Sequence, residues 1–224
     1  MKIWSSAFLA ALGLVVGASV SQATPLPAGS MVVPSAEASL PAGSFVFAAL
    51  NQAITGTNAL GQTRFMGTLT FAVYRESATG TLDFLYQYRD ASGDPVEHVS
   101  TTDFGTFSAN VTHLTTTAPT GFVLGTVTPT DATRNFSGVI SFDTTIPGAI
   151  KPSETSQVFV IHTNATQIVP GTTSLIDGGI ATVVTRGPTT APEPATLTLF
   201  AGGLLGLGGL FGRRWKKGTA AAAA

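Results

Sequence analysis

Cysteine is absent from the 224 residues. That excludes disulfides, thiol catalysis, cysteine-ligated zinc and acylation of a lipoprotein-style cysteine. A chain of this length buries enough core to fold without disulfides, so the absence is compatible with an exported domain. Charge is scarce too, with Asp, Glu, Lys and Arg making up 10% of the residues. Between Thr24 and Ala191 there are six basic and eleven acidic residues, a net charge of −5. An acidic body without a clustered basic stripe argues against nucleic acid as a partner, because phosphate neutralisation needs grouped Lys and Arg. Phosphate-cradling loops, dinucleotide fingerprints and GxSxG elbows are missing as well, as is any 3.6-residue apolar stripe in the body.

What is present begins with an export signal. Lys2 supplies a thin positive start, Ile3–Val20 is mostly apolar, and Ser21-Gln22-Ala23 places small residues at −3 and −1 of a cleavage site between Ala23 and Thr24. Residues 1–23 therefore read as a signal peptide. Residues 24–44, rich in Pro, Ala, Ser and Gly, read as a leader with a loosely attached first strand.

From Phe45 the chain alternates with period two. Leu69, Phe71 and Val73 share one face, as do Leu82, Phe84, Tyr86 and Tyr88, and Ser77-Ala78-Thr79-Gly80 between the two runs has hairpin length. Further β-like runs are expected at about 96–101, 104–114, 120–128, 134–142, 157–163 and 174–185, punctuated by Pro and Gly turns. Val158–Ile161 is apolar on both faces, as a central strand is. Asp177-Gly178-Gly179 reads as a turn within the last hairpin. These features predict an all-β fold: a single antiparallel β-sandwich or jelly-roll-like domain over residues 45–187.

Chemistry-bearing residues are sparse. His98, His113 and His162 show no HxH or HExxH spacing and read as solvent-facing or hydrogen-bonded residues, so no metal ligand and no cofactor are expected. Asp90, Ser92, Asp94 and Glu97 resemble an oxygen-rich calcium loop. Pro95 and Thr101 occupy the positions where such a loop has Gly and Glu, and an Asx-stabilised turn is the more economical reading. A glycosidase would need a carboxylate pair from Asp83, Glu97, Asp103 and Asp143, with Glu76 a further acidic candidate, but no local motif joins them. No catalytic residue is assigned and a non-enzymatic protein is expected. A carbohydrate-binding role would use Tyr74, Tyr86, Tyr88 or Phe122 as stacking platforms.

The most informative stretch is APEPATLTLFAGGLLGLGGLFGRRWKK, residues 191–217. Ala195–Gly212 is eighteen residues without a charge, just long enough to span a bilayer as one transmembrane helix. Arg213, Arg214, Lys216 and Lys217 follow as a membrane stop, which with a cleaved signal puts the body outside the cytoplasm and the tail inside. Pro192-Glu193-Pro194, the apolar span and the basic cluster, in that order, resemble the PEP-CTERM sorting signal of exported bacterial proteins, here over 188–217, with 218–224 a low-complexity tail. The resemblance implies a Gram-negative host and an exosortase, a membrane transpeptidase-like enzyme that recognises Pro192, Glu193 and Pro194 and cuts nearby. It also implies Sec export, an inner-membrane intermediate, and then release or surface display among exopolysaccharide and biofilm matrix. Exosortase is thus the expected processing partner and exopolysaccharide the candidate ligand.

Overall fold

The alternation at Thr68–Tyr74 and Leu82–Tyr88 becomes a long hairpin of a computed structural model that describes residues 23–102, 104–144 and 148–190. Thirteen strands occur among the described residues. In chain order they are β1 (Thr24–Pro25), β2 (Ser30–Val32), β3 (Ser35–Glu37), β4 (Gly43–Thr57), β5 (Thr63–Glu76), β6 (Leu82–Gly93), β7 (His98–Thr101), β8 (Ala109–Leu114), β9 (Asp131–Arg134), β10 (Ile140–Asp143), β11 (Val158–Thr163), β12 (Gln167–Ile176) and β13 (Ile180–Thr189). Tight turns with local chemistry join them. Asn58 Oδ1 accepts the N–H groups of Leu60 and Gln62 at 3.0 Å between β4 and β5, and Gly80 takes φ = 73° between β5 and β6, where a side chain would be strained.

The strands form one continuous sheet, ordered β1-β8-β11-β6-β5-β4-β13-β12-β7-β10-β9-β2. Every pairing is antiparallel except that of β3, which runs parallel to β8. The two ends of this order, β1 and β2, are separated in the chain only by residues 26–29, so the sheet has to curl until its edges meet. The all-β, antiparallel expectation holds, but the architecture is a nearly closed barrel rather than a two-sheet sandwich. Near-closure brings the two edge strands together, where a sandwich would leave its edges apart.

Alternation then sorts the side chains. Leu69, Phe71, Val73, Leu82, Phe84, Tyr86 and Tyr88 point inward with Phe142, Phe159, Ile161 and Leu175, all buried. Phe142 on β10 stacks on Phe159 on β11 at 4.9 Å between ring centres, although these strands are not neighbours in the sheet. Such a pair contributes about 0.5–1.5 kcal/mol beyond area burial. A chain of hydroxyls also crosses the interior. Tyr86 Oη lies 2.8 Å from Thr101 Oγ1, Thr173 Oγ1 donates to Thr101 Oγ1 at 3.4 Å, and Thr173 and Thr185 hydroxyls meet at 3.0 Å.

β5, β6 and β11 are covered on their outer face as well. Ala72, Leu85, Val158 and Val160 pack there under Leu114, Phe122, Leu40 and Phe45, so Val158–Ile161 is the two-faced central strand its composition predicts. The cover comes from two segments read differently in the sequence. Residues 24–44 are woven into the fold: β1 to β3 pair with β8 and β9, and Leu26 is 1% exposed. Residues 120–128 are not a strand. One bridge, Val127 to Ser156, enters the sheet, and Gln87 clamps the rest by donating to the Val123 and Ser156 carbonyls and accepting the Val123 N–H. The run expected at 134–142 is broken by a turn in which Asn135 Oδ1 accepts the Val139 N–H, and residues 104–108 precede β8 as a loop.

Candidate functional site

Asp83 on β6 and His162 on β11 are directly opposed across the ladder and face outward beside the covered core. His162 Nδ1 lies 2.9 Å from Asp83 Oδ1, and Nε2 lies 3.1 Å from both Glu37 Oε2 and Thr112 Oγ1. Glu76, at the end of β5, brings Oε1 to 4.0 Å from Nδ1, while its other oxygen accepts the Thr79 hydroxyl at 2.7 Å. One imidazole thus sits among three carboxylates from β3, β5 and β6. Burial works against a charged ring, but the hydrogen bonds and charges of Asp83 and Glu37 outweigh it and push His162 up to about 10. Asp83 is wholly buried, and that burial raises its carboxyl above the usual range despite the opposing pull of His162.

A second outward row lies six strands away along the sheet. Asp131, Asp143 and His98 are successive cross-strand partners on β9, β10 and β7. His98 Nδ1 and Asp143 Oδ1 form a short contact. Burial, together with the Asp143 carboxylate, raises Asp131 to about 6. His113, by contrast, is buried with Nδ1 unpartnered among the described residues, and burial lowers its pKa; it is neither solvent-facing nor held by a bond at that nitrogen.

The remaining sequence candidates are placed as follows. Tyr86 and Tyr88 are fully buried and Phe122 is 7% exposed, so none of the three offers a face for sugar stacking. Tyr74 packs edge-on against Phe45 and donates to the Pro41 carbonyl at 3.0 Å. Asp83 and Asp143 belong to separate clusters on distant strands, and Asp103 lies outside the described residues. Asp90 lies within β6, which runs on to Gly93, and is buried, while Asp94 just beyond the strand pairs with Arg64, so the turn expected over Asp90–Asp94 is mostly the end of a strand. Sequence reasoning missed the outer-face cleft of about 260 Å³ lined by Asn51, Thr68, Thr70, Gln87, Arg89 and Thr155. Its rim also holds Ser153. Asn51 and Ser153 are the non-glycine residues with positive φ among the described residues, at 50° and 74°.

The described residues contain no helix long and apolar enough to cross a membrane. Residues 1–22 of the expected signal peptide, Pro192-Glu193-Pro194, the expected span 195–212, the expected stop residues Arg213, Arg214, Lys216 and Lys217, and the tail lie outside the described residues. The comparison with known families speaks to this end of the chain. Residues 190–216 match the PEP-CTERM protein-sorting motif. That motif supports export, processing by an exosortase and sorting to the cell surface or exterior. No curated protein and no solved structure matches it.

Proposed function

We propose that the chain is a non-enzymatic structural protein of the bacterial surface or extracellular matrix. It is exported by the Sec route, held briefly in the inner membrane by 195–212, and cut near Pro192-Glu193-Pro194. The observation that carries this reading is the sorting motif at 190–216, beginning one residue after β13 ends at Thr189. At about 3.6 Å per extended residue, Pro192 lies no more than ~11 Å from the last residue of the sheet. The sortable end is attached directly to a barrel wall, so cutting delivers an already folded unit. The Pro192, Glu193 and Pro194 triple-alanine variant, expressed in the native host, is expected to accumulate in the inner-membrane fraction at its uncut mass. Normal release of that variant would remove the reading.

A second reading, exopolysaccharide binding, is favoured by the cleft of Asn51, Thr68, Thr70 and Arg89. Hydroxyl and amide groups there suit sugar hydroxyls. Arg89 is exposed and has no ion-pair partner among the described residues, so it suits an acidic sugar. Loss of binding to acidic polysaccharide in Arg89→Ala, with neutral polysaccharide unaffected, is the outcome this reading requires. Equal binding by both proteins would remove it.

A further inference from the structure

We propose that Glu76, Asp83 and His162 are the ligands of a divalent transition-metal ion of the zinc class, with Glu37 holding the far side of the imidazole. The three side chains come from β5, β6 and β11, and one ligand atom from each lies within 4.8 Å of the other two. An imidazole with two carboxylates suits zinc and its first-row neighbours and is poor for calcium or magnesium, which take oxygen alone.

Three independent features point to a cation. The first is Asp83 itself: its side chain is 0% exposed, yet Oδ2 is buried and accepts no hydrogen bond among the described residues. A wholly buried carboxylate oxygen without a donor is costly unless something positive meets it. The second is the charge balance. Glu37, Glu76 and Asp83 surround a single imidazole, and no Lys or Arg among the described residues pairs with them. The nearby Arg75 instead gives its guanidinium to the carbonyls of Gly80 at 2.7 Å and Thr166 at 3.0 Å.

The third is the division of labour between the two ring nitrogens. Nδ1 faces the two prospective ligands, Asp83 and Glu76. Nε2 faces Glu37 Oε2 and Thr112 Oγ1. Histidines that ligate metals characteristically give their other N–H to a carboxylate, which fixes the tautomer and ring orientation. On binding, the ion takes the Nδ1 lone pair, the Nδ1 proton leaves to solvent, and Nε2–H remains bonded to Glu37. Glu76 has to close on the other two ligands to complete bonds of about 2.0–2.2 Å, and it sits where β5 ends at a hairpin turn. Through Glu37 the ion also fastens β3, and hence the 24–37 segment, to the barrel wall.

The test uses the full chain, stripped with EDTA, exposed to Zn²⁺, dialysed, and analysed for bound metal by mass spectrometry. Wild type is expected to retain one zinc per chain, undisturbed by a hundredfold excess of Ca²⁺. His162→Gln and Glu76→Gln should each weaken retention by at least about 100-fold and Glu37→Gln by about 10–100-fold, while His98→Gln leaves it unchanged. Should His162→Gln fail to fold, Glu76→Gln decides, because Glu76 ends its strand at the edge of the hairpin. Absence of zinc from wild type, or retention by Glu76→Gln equal to wild type, overturns the proposal.

Discussion

The guanidinium of Arg134 donates to the carbonyl of Leu26, at 3.2 Å, across the seam where the two ends of the sheet meet. The same group donates to the carbonyls of Phe104, Gly105 and Phe107 at 3.3, 2.8 and 2.8 Å. Arg134 is 5% exposed, and the Gly29 N–H reaches its carbonyl at 2.7 Å. One side chain thus ties the β1–β2 connection to the 104–107 loop and to β9, where no ladder between β1 and β2 exists to do it.

Arg134→Ala should therefore destabilise the protein by about 3 kcal/mol or more, since it removes hydrogen bonds to four carbonyls at once. Arg134→Lys should recover only part of this loss, because a single ammonium cannot reproduce the planar fork. Urea unfolding monitored by tryptophan-independent circular dichroism measures both. Equal stability of Arg134→Ala and wild type would show that the seam is held by something else.

The buried hydroxyl chain gives a second expectation. Tyr86→Phe and Thr173→Val should each cost about 1 kcal/mol, and the double variant less than the sum, because both act on Thr101. A double-mutant cycle with strict additivity would contradict the coupling.

pH dependence follows from Asp90. Burial raises its carboxyl to about 6, and the charges of Asp177 and Glu154 push the same way. The folded pKa lies above the unfolded value of about 3.9, so the folded state binds the proton more tightly. That contribution is complete below about pH 4 and is lost as pH rises through about 6. Between pH 4.5 and 7.5, wild type should lose about 2 kcal/mol relative to Asp90→Asn. Parallel pH profiles for the two proteins would rule out a raised carboxyl.

Ser153 supplies a test of backbone strain at the cleft rim. Its φ of 74° is disfavoured for a residue with a side chain. Ser153→Gly should raise the stability by about 0.5–1 kcal/mol. A lower denaturation midpoint in Ser153→Gly would mean that the serine's own contacts outweigh the strain.

How far the sequence foretold these features depends on which were local. The β5–β6 hairpin was legible because seven-residue runs of alternation, Thr68–Tyr74 and Leu82–Tyr88, flank a glycine turn, and Leu82, Phe84, Tyr86 and Tyr88 do share the inner face. β11 was legible because both of its faces are apolar. Strands β1 to β3 were not, since two or three residues carry no period and Pro25 and Pro27 read as leader. Barrel closure was hidden for a related reason: it depends on Arg134 meeting Leu26, 108 residues earlier in the chain. The His162 cluster was equally invisible, because Glu37 is 125 residues from His162 and only strand register brings them together. The 120–128 run misled by composition. Its Thr and Val favour a strand, but Gln87 and the outer apolar face hold it as a cover.

In the proposed function this barrel is delivered to the cell exterior by cutting at its C-terminal signal. Intact-mass and C-terminal peptide analysis of the protein recovered from the native host tests it most directly. The expected mature chain ends close to Pro192-Glu193-Pro194 and lacks 195–217. A mature surface protein that still carries Arg213, Arg214, Lys216 and Lys217 would contradict it.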